Sequence, residues 1–194
     1  MIKEKQLYTV AESYTLITKA LQSMKFILRA RKNNQLQMEF LERIMLAVTE
    51  VNKCPMCSYA HTKIALEAGM SASEIENMLQ GVLLDVPKEE MPAILFAQHY
   101  ADTRGKPSKE SLRTLVKIYG LDKARGILGG VQSIMVGNAY GIAWGSLMGR
   151  FKGHPDPRSH ITYELAMVLT LLPFLLIGGL QNLLTLPLRA LTMP

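Results

Sequence analysis

The sequence is poor in cysteine, and this scarcity limits the chemistry that its thiols can perform. Cys54 and Cys57 are the only two cysteines among 194 residues. Two sulfurs cannot complete a four-sulfur zinc site, and a site built from both cysteines and His61 needs a fourth ligand, for which His99 or a nearby carboxylate is the only candidate. We therefore predict no metal and no cofactor. Zinc binding and a purely structural role for two buried cysteines stay open as alternatives.

The chain also lacks a basic patch interleaved with aromatic side chains. The formal net charge is +6 at pH 7, but the basic residues are scattered along the chain. The densest group, residues 29–32, stands at a predicted helix end, where cations complement the negative end of the helix dipole. The sequence therefore predicts that nucleic acid is not a partner.

Two further absences concern the compartment and the fold class. Residues 1–6 lack the apolar core of a secretory signal, which favours a reducing, cytoplasmic location. No convincing alternating strand pattern appears, whereas apolar residues recur at three- and four-residue spacing in several stretches. The prediction is an all-α, single-domain helical bundle. It divides into an N-terminal helix (residues 1–34), a core (35–150) and an apolar C-terminal extension (151–194).

What the sequence does contain is a concentrated thiol motif. The eight residues from Cys54 to His61 read Cys-Pro-Met-Cys-Ser-Tyr-Ala-His. Pro55 is favoured at the first position of a helix, and in a helix the two sulfurs and the imidazole lie along one face. Both sulfurs then feel the partial positive charge of the helix N-terminus, to which Lys53 adds. The pattern predicts a cysteine pair of low pKa.

Acid and base candidates accompany this pair. A thiol that reduces a peroxide needs a group to remove its proton and a group to protonate the leaving alkoxide. His61 stands one turn beyond Cys57, and two acids, Glu42 and Glu50, precede the motif. Glu42 lies in an apolar helical stretch, either on its exposed edge or turned inward toward the cysteines. The sequence leaves open which acid faces the histidine.

These residues together resemble a known family. Glu42, a gap of eleven residues, and then Cys54-x-x-Cys57-x-x-x-His61 is similar to the alkylhydroperoxidase D-like branch of the carboxymuconolactone decarboxylase superfamily. The residues flanking the motif agree as well. The resemblance covers roughly residues 36–150 and implies an all-α core of the alkylhydroperoxidase D-like type that forms homo-oligomers.

The resemblance also implies roles for the four residues. Cys57 attacks the peroxide and becomes a sulfenic acid, Cys54 resolves it into a disulfide, and His61 with Glu42 forms the proton relay. The partners are then a small-molecule peroxide and a thiol or protein disulfide reductant. One position departs from the pattern, because Met56 stands where the best-studied branch has a second histidine, so the relay is shorter by one member.

Other functions remain as alternatives. Lactone decarboxylases of the same superfamily do not rely on a cysteine pair, so the pair argues against that activity. A thiol-disulfide exchange or redox-sensing protein would use the same pair on other proteins. A membrane-associated or scaffolding oligomer would carry the motif as a vestige.

An uncharged stretch, residues 126–149, contains a ridge of small residues spaced by four. Such a ridge lets another helix approach closely, and we interpret it as a close helix crossing within the core or at a subunit contact. Its members are Ser133, Gly137, Gly141, Gly145 and Gly149.

A second uncharged stretch, residues 166–188, is long enough to span a bilayer. Pro173 and the Gly178-Gly179 pair interrupt it, so two short helices joined by a kink are an alternative to one spanning helix. An apolar surface of this size in a soluble protein has to be covered. We expect an arm that forms the oligomer, with membrane contact as the alternative.

Overall fold

The computed structural model describes residues 6–190, with side chains described through residue 185. Part of the N-terminal segment used above, residues 1–5, lies outside these residues, as do the side chains of the final part of the apolar stretch. The described chain forms eight helices and no strand, which confirms the all-α prediction. They are α1 (Val10–Lys32), α2 (Met38–Asn52), α3 (Pro55–Ala68), α4 (Ala72–Leu79), α5 (Met91–Asp102), α6 (Lys109–Tyr119), α7 (Leu121–Arg150) and α8 (Ile161–Ala190).

The helix boundaries follow local signals in the sequence. Thr9 begins α1 with a capping box, in which its side chain accepts from the Glu12 amide and the Glu12 carboxylate accepts from the Thr9 amide. Ser71 and Ser108 cap α4 and α6 in the same side-chain-to-amide manner. Gly69 ends α3 in the left-handed region at φ 106°. Each of these boundaries depends on residues within one helical turn.

Helix α7 is central, because α1, α2, α3, α5, α6 and α8 all pack against it. Small residues permit this close packing. A Cβ on Gly126 would lie 2.6 Å from the Ala30 Cβ of α1, and a Cβ on Gly129 would lie 2.7 Å from Ile27 Cγ1. These two glycines precede the predicted ridge, whose member Gly141 also lies against another helix of the chain, since an added Cβ would be 2.7 Å from Cys57 Sγ of α3. The division at residues 34 and 150 stays a prediction, since both end helices pack onto the same central helix.

Helix α8 runs without interruption through Pro173, so the alternative of two short helices is wrong. One side of α8 lies on α1. Gly178 faces Leu21, whose Cδ1 would be 3.3 Å from an added Cβ, and Tyr14 Oη donates to Gln181 Oε1 at 2.8 Å. Packing against a neighbouring helix thus compensates for the backbone hydrogen bond that proline removes.

The other side of α8 is apolar and exposed. The segment Ile161–Thr185 is long and apolar enough to cross a membrane by length and composition, and most of it is not buried. Its exposed large side chains are Ile161, Leu165, Leu169, Leu172, Leu175, Leu176, Ile177, Leu180, Leu183 and Leu184. The structure therefore confirms an apolar C-terminal helix whose outer side lacks a cover within the described chain.

A buried carboxylate anchors the beginning of α8. Glu164 is completely buried and accepts hydrogen bonds from Arg150 Nε (2.6 Å), from Ser146 Oγ (2.7 Å) and from Ser159 Oγ. Burial raises the pKa of Glu164, but the hydrogen bonds from Arg150, Ser159 and Ser146 outweigh it and lower the pKa from 4.5 to about 2. The ionised carboxylate therefore stabilises the packing of α8.

This pKa predicts how stability changes with acidity. A depressed native pKa contributes stability that is fully present above about pH 4.5 and is lost as the pH falls toward 2. In urea unfolding at pH 7 and pH 3, the wild type should therefore lose part of its advantage over Glu164→Gln at the lower pH. Stability curves that stay parallel between the two pH values would contradict the assignment.

Candidate active site

The site begins at a sharp turn between α2 and α3. Asn52 ends α2, Lys53 adopts the left-handed region at φ 54°, and Cys54 caps α3, whose first residue is Pro55. Two contacts hold this non-glycine residue in that conformation. The Lys53 amide donates to the Thr49 carbonyl (2.8 Å), and Arg158 Nη2 donates to the Lys53 carbonyl (3.2 Å). The turn fixes the direction in which α3 leaves α2.

Cys54 and Cys57 are joined in a disulfide, as the resemblance implied. The Cys57 amide donates to Cys54 Sγ at 3.3 Å, which is the side-chain hydrogen bond of a helix N-cap. Cys57 Sγ lies 3.4 Å from the Gly137 carbonyl oxygen of α7. The helical spacing predicted for the motif is thus confirmed, and the sulfurs are close enough to form and break their bond.

Helix α7 provides the surface on which the sulfurs lie. A Cβ on Gly141 would be 2.7 Å from Cys57 Sγ and 3.0 Å from Cys54 Sγ, closer than real Cβ contacts. One turn further on, Gly145 leaves room for Met56, whose Cβ would be 3.7 Å from an added Cβ. Two of the small residues predicted from the sequence therefore face the cysteine helix.

His61 is paired with Glu42. His61 Nδ1 lies 2.8 Å from Glu42 Oε2, and the Glu42 residue is only 2% exposed. The other acid, Glu50, instead binds Lys53 Nζ at 2.7 Å. Because an ionised carboxylate can only accept, the pair fixes Nδ1 as the protonated nitrogen and leaves Nε2 as a base.

A buried hydrogen-bond network joins this turn to α7. Tyr8 Oη donates to Asn52 Oδ1 (2.9 Å), Asn52 Nδ2 donates to Asn138 Oδ1 (2.9 Å), and Asn138 Nδ2 donates to Thr49 Oγ1 (3.0 Å). Burial raises the pKa of Tyr8, so its phenol stays a neutral donor. The sequence did not predict this network. The one available signal was Asn138, a polar residue in an uncharged helical stretch.

His99 lies elsewhere in the described fold. It lines a cleft of about 460 Å³ between α5 and α6, together with Phe96 and Ser111. Among the residues that the structure describes, no group of three or more His, Cys, Asp or Glu side chains could hold a metal ion. The structure thus offers no observation in favour of the zinc alternative.

Comparison with known protein families finds a match. The model of the carboxymuconolactone decarboxylase family matches residues 16–98, a segment that contains Glu42, Cys54, Cys57 and His61. The match confirms the resemblance at the level of this family. Neither the curated proteins nor the solved structures contain a significant match to the chain.

Proposed function

We propose that the protein is a thiol-dependent peroxidase of the alkylhydroperoxidase D-like branch, which reduces organic hydroperoxides or hydrogen peroxide. The observation that carries the proposal is the hydrogen bond between Glu42 of α2 and His61 of α3, the helix that begins with the cysteine pair. A base oriented by a carboxylate, four residues after Cys57 on the same helix, and two thiols that can form a disulfide are the groups that peroxide reduction requires. Decarboxylation relies on neither sulfur and leaves the cysteine pair without a role.

In the first step His61 Nε2 accepts the proton of the Cys57 thiol. The Cys57 thiolate attacks the terminal peroxide oxygen, the O–O bond breaks, and the bonding pair leaves on the alkoxide. Imidazolium returns the proton to the alkoxide, which departs as an alcohol, and Cys57 is left as a sulfenic acid. Glu42 stabilises the imidazolium formed during the transfer.

In the second step Cys54 attacks the Cys57 sulfur. The S–O bond breaks, hydroxide takes up a proton and leaves as water, and the disulfide seen in the structure forms. The two cysteines have then lost two electrons in total to the peroxide. A thiol or protein disulfide reductant returns these electrons and completes the cycle.

The test is intact-mass spectrometry of the reduced protein before and after one equivalent of an organic hydroperoxide. We expect the wild type to lose two hydrogens rapidly, the Cys57→Ser variant to remain unchanged, and the Cys54→Ser variant to gain one oxygen that dimedone traps as a sulfenic acid. Two untouched thiols in the wild type would contradict the peroxidase assignment.

Thiol-disulfide exchange with another protein is the second candidate. The observation in its favour is the apolar exposure around the pair, since Met56 is 42% and Tyr59 is 79% exposed. Such side chains give a partner protein a surface to cover. Slow peroxide turnover combined with rapid exchange against a thioredoxin-like protein would support this function over the first.

We further propose that a second copy of the chain covers the outer side of α8. Leu165, Leu169, Leu172, Leu176 and Leu183 follow the alternating four- and three-residue spacing of a coiled-coil seam. Gly179 occupies the remaining seam position, with no heavy atom within 4 Å of an added Cβ, so a partner helix can approach it closely. Positions 165–185 contain no charged residue, so α8 lacks the charged face that is typical of a helix lying on the surface of a lipid bilayer.

This proposal predicts the effect of charge on the seam. In light scattering at micromolar concentration, the double variant Leu169→Glu and Leu176→Glu should shift the assembly to a smaller mass, because each buried carboxylate would lack a partner. Leu84→Glu is the control, since Leu84 is 88% exposed and lies outside α8. An unchanged mass, together with loss of binding to phospholipid vesicles, would instead indicate the membrane alternative.

A further inference from the structure

The two sulfurs of the disulfide have different surroundings. Cys54 is completely buried, whereas Cys57 retains 6% of its surface. Gly141 of α7 lies against both sulfurs and closes that side of the bond. Cys57 is therefore the residue of the pair that keeps some contact with solvent, whereas Cys54 has none.

The hydrogen bonds of the two sulfurs also differ. Cys54 Sγ accepts the Cys57 amide proton at 3.3 Å, and such a donor at a helix N-terminus stabilises a thiolate more than a thiol. Cys57 Sγ instead lies 3.4 Å from the Gly137 carbonyl oxygen. A carbonyl accepts a proton from a thiol and repels a thiolate, so it favours the protonated form of Cys57.

The charged groups around the turn are paired with one another. Lys53 precedes Cys54 and pairs with Glu50, and Arg158, which donates to the Lys53 carbonyl, pairs with Asp156. The α7 stretch that faces the sulfurs carries no charge. On α3 the ionisable group one turn after Cys57 is His61, which is paired with Glu42. Each of these cations thus has a carboxylate partner, so the amide hydrogen bond to Cys54 is what distinguishes the two sulfurs.

We propose that the reductant enters at Cys57 and that Cys54 is the leaving thiolate. This inference rests on the proposed function, because it orders the reductive half of the same cycle. The reductant, a dithiol, attacks Cys57 Sγ with one thiolate and forms a mixed disulfide. The S–S bond of the protein breaks, and its bonding pair leaves on Cys54 Sγ, where the Cys57 amide stabilises it. The second thiol of the reductant then displaces Cys57, so two electrons pass to the protein.

The same difference between the two sulfurs favours the oxidative half of the catalytic cycle. The accessible sulfur meets the peroxide, while the buried sulfur stays a thiolate that is ready to attack the sulfenic acid. A leaving thiol of low pKa accelerates exchange, and an attacking thiolate accelerates resolution. One amide hydrogen bond to Cys54 therefore favours both steps.

The first test is the pKa of each thiol in the reduced single-cysteine variants, from the pH dependence of iodoacetamide alkylation. We expect the Cys54 thiol in Cys57→Ser to have a pKa about one unit or more below that of the Cys57 thiol in Cys54→Ser. Replacement of residue 57 keeps the backbone amide, so the hydrogen bond to Cys54 persists. Equal values, or the reverse order, would overturn the proposal.

The second test uses the unaltered oxidised protein and glutathione. After a brief reaction and quenching with N-ethylmaleimide, tandem mass spectrometry should find glutathione on Cys57 and maleimide on Cys54, in about tenfold excess over the opposite arrangement. Glutathione mainly on Cys54, or equal labelling, would overturn the inference. Peroxide turnover is measured separately, so an inactive enzyme with glutathione on Cys57 would refute the peroxidase assignment and leave the order of exchange intact.

Discussion

Replacement of Glu42 by glutamine is expected to slow peroxide-driven disulfide formation by about 10²–10⁴-fold. Glu42 is buried and lies 2.8 Å from His61 Nδ1, so its carboxylate sets which imidazole nitrogen carries the proton. Glutamine has the same shape but can present its amide donors to Nδ1, which would place the proton on Nε2 and remove the base. The measurement is single-turnover oxidation of reduced protein, followed by thiol alkylation and mass spectrometry.

Glu50→Gln is the matched control for this experiment. Glu50 lies on the same helix, but its carboxylate binds the exposed Lys53 ammonium instead of the histidine. Exposed ion pairs contribute little, so we expect a rate within about twofold of the wild type. Equal losses in the two variants, or no loss in Glu42→Gln, would show that the Glu42–His61 pair does not act as the relay.

A methyl group at position 141 is expected to disturb the cysteine pair more than any other single change on α7. In Gly141→Ala, the added Cβ would stand 2.7 Å from Cys57 Sγ and 3.0 Å from Cys54 Sγ. The disulfide cannot move aside easily, because both cysteines belong to the rigid start of α3. Overpacking of this kind costs about 1–3 kcal/mol, which outweighs the roughly 1 kcal/mol that alanine gains over glycine inside a helix.

Gly145→Ala is the control, since it adds the same methyl one turn along the same helix. Its Cβ would make an ordinary 3.7 Å contact with Met56, so we expect a gain in stability of up to about 1 kcal/mol. Urea unfolding of the oxidised proteins measures both changes, and the rate of disulfide formation after peroxide addition reports the chemistry. Equal gains in both variants would contradict the close contact at Gly141.

Much of the local structure was predictable because it depends on neighbours in the chain. Thr9, Ser71 and Ser108 begin helices with a side chain that accepts from an amide three residues later. The alignment of Cys54, Cys57 and His61 likewise depends only on helical geometry once Pro55 starts α3. Spacing rules of this kind act over a few residues and leave a direct trace in the sequence.

The choice of acid was not predictable from the sequence. Glu42 and Glu50 are eight residues apart on α2, so their directions differ by only about 80° and their heights by about 12 Å. Which of them meets His61 depends on how α2 crosses α3, and that crossing follows from the left-handed Lys53 and from packing on α7. The distance of 2.8 Å between Glu42 Oε2 and His61 Nδ1 therefore results from the tertiary structure.

The sequence likewise did not show which residues pack against the small-residue ridge or whether α8 is continuous. Spacing by four predicted a close crossing, but nothing local indicated that Gly141 would face two sulfurs more than eighty residues earlier. Pro173 suggested a break in the last helix, whereas contacts of Gly178 and Gln181 with α1 accompany a continuous one. In both cases the deciding contacts come from residues distant in the chain.

The sequence by itself determined the helices, their caps and the presence of two thiols and an imidazole on one face, because these properties depend on residues within a turn or two. Tertiary structure alone decided that Glu42 orients His61, that Gly141 and Gly137 lie against the sulfurs, and that Cys57 keeps slightly more exposed surface than Cys54. The physical reason is that hydrogen bonding and burial at the site depend on how α2, α3 and α7 cross. Those crossings result from packing summed over the whole core, which no short stretch of sequence encodes.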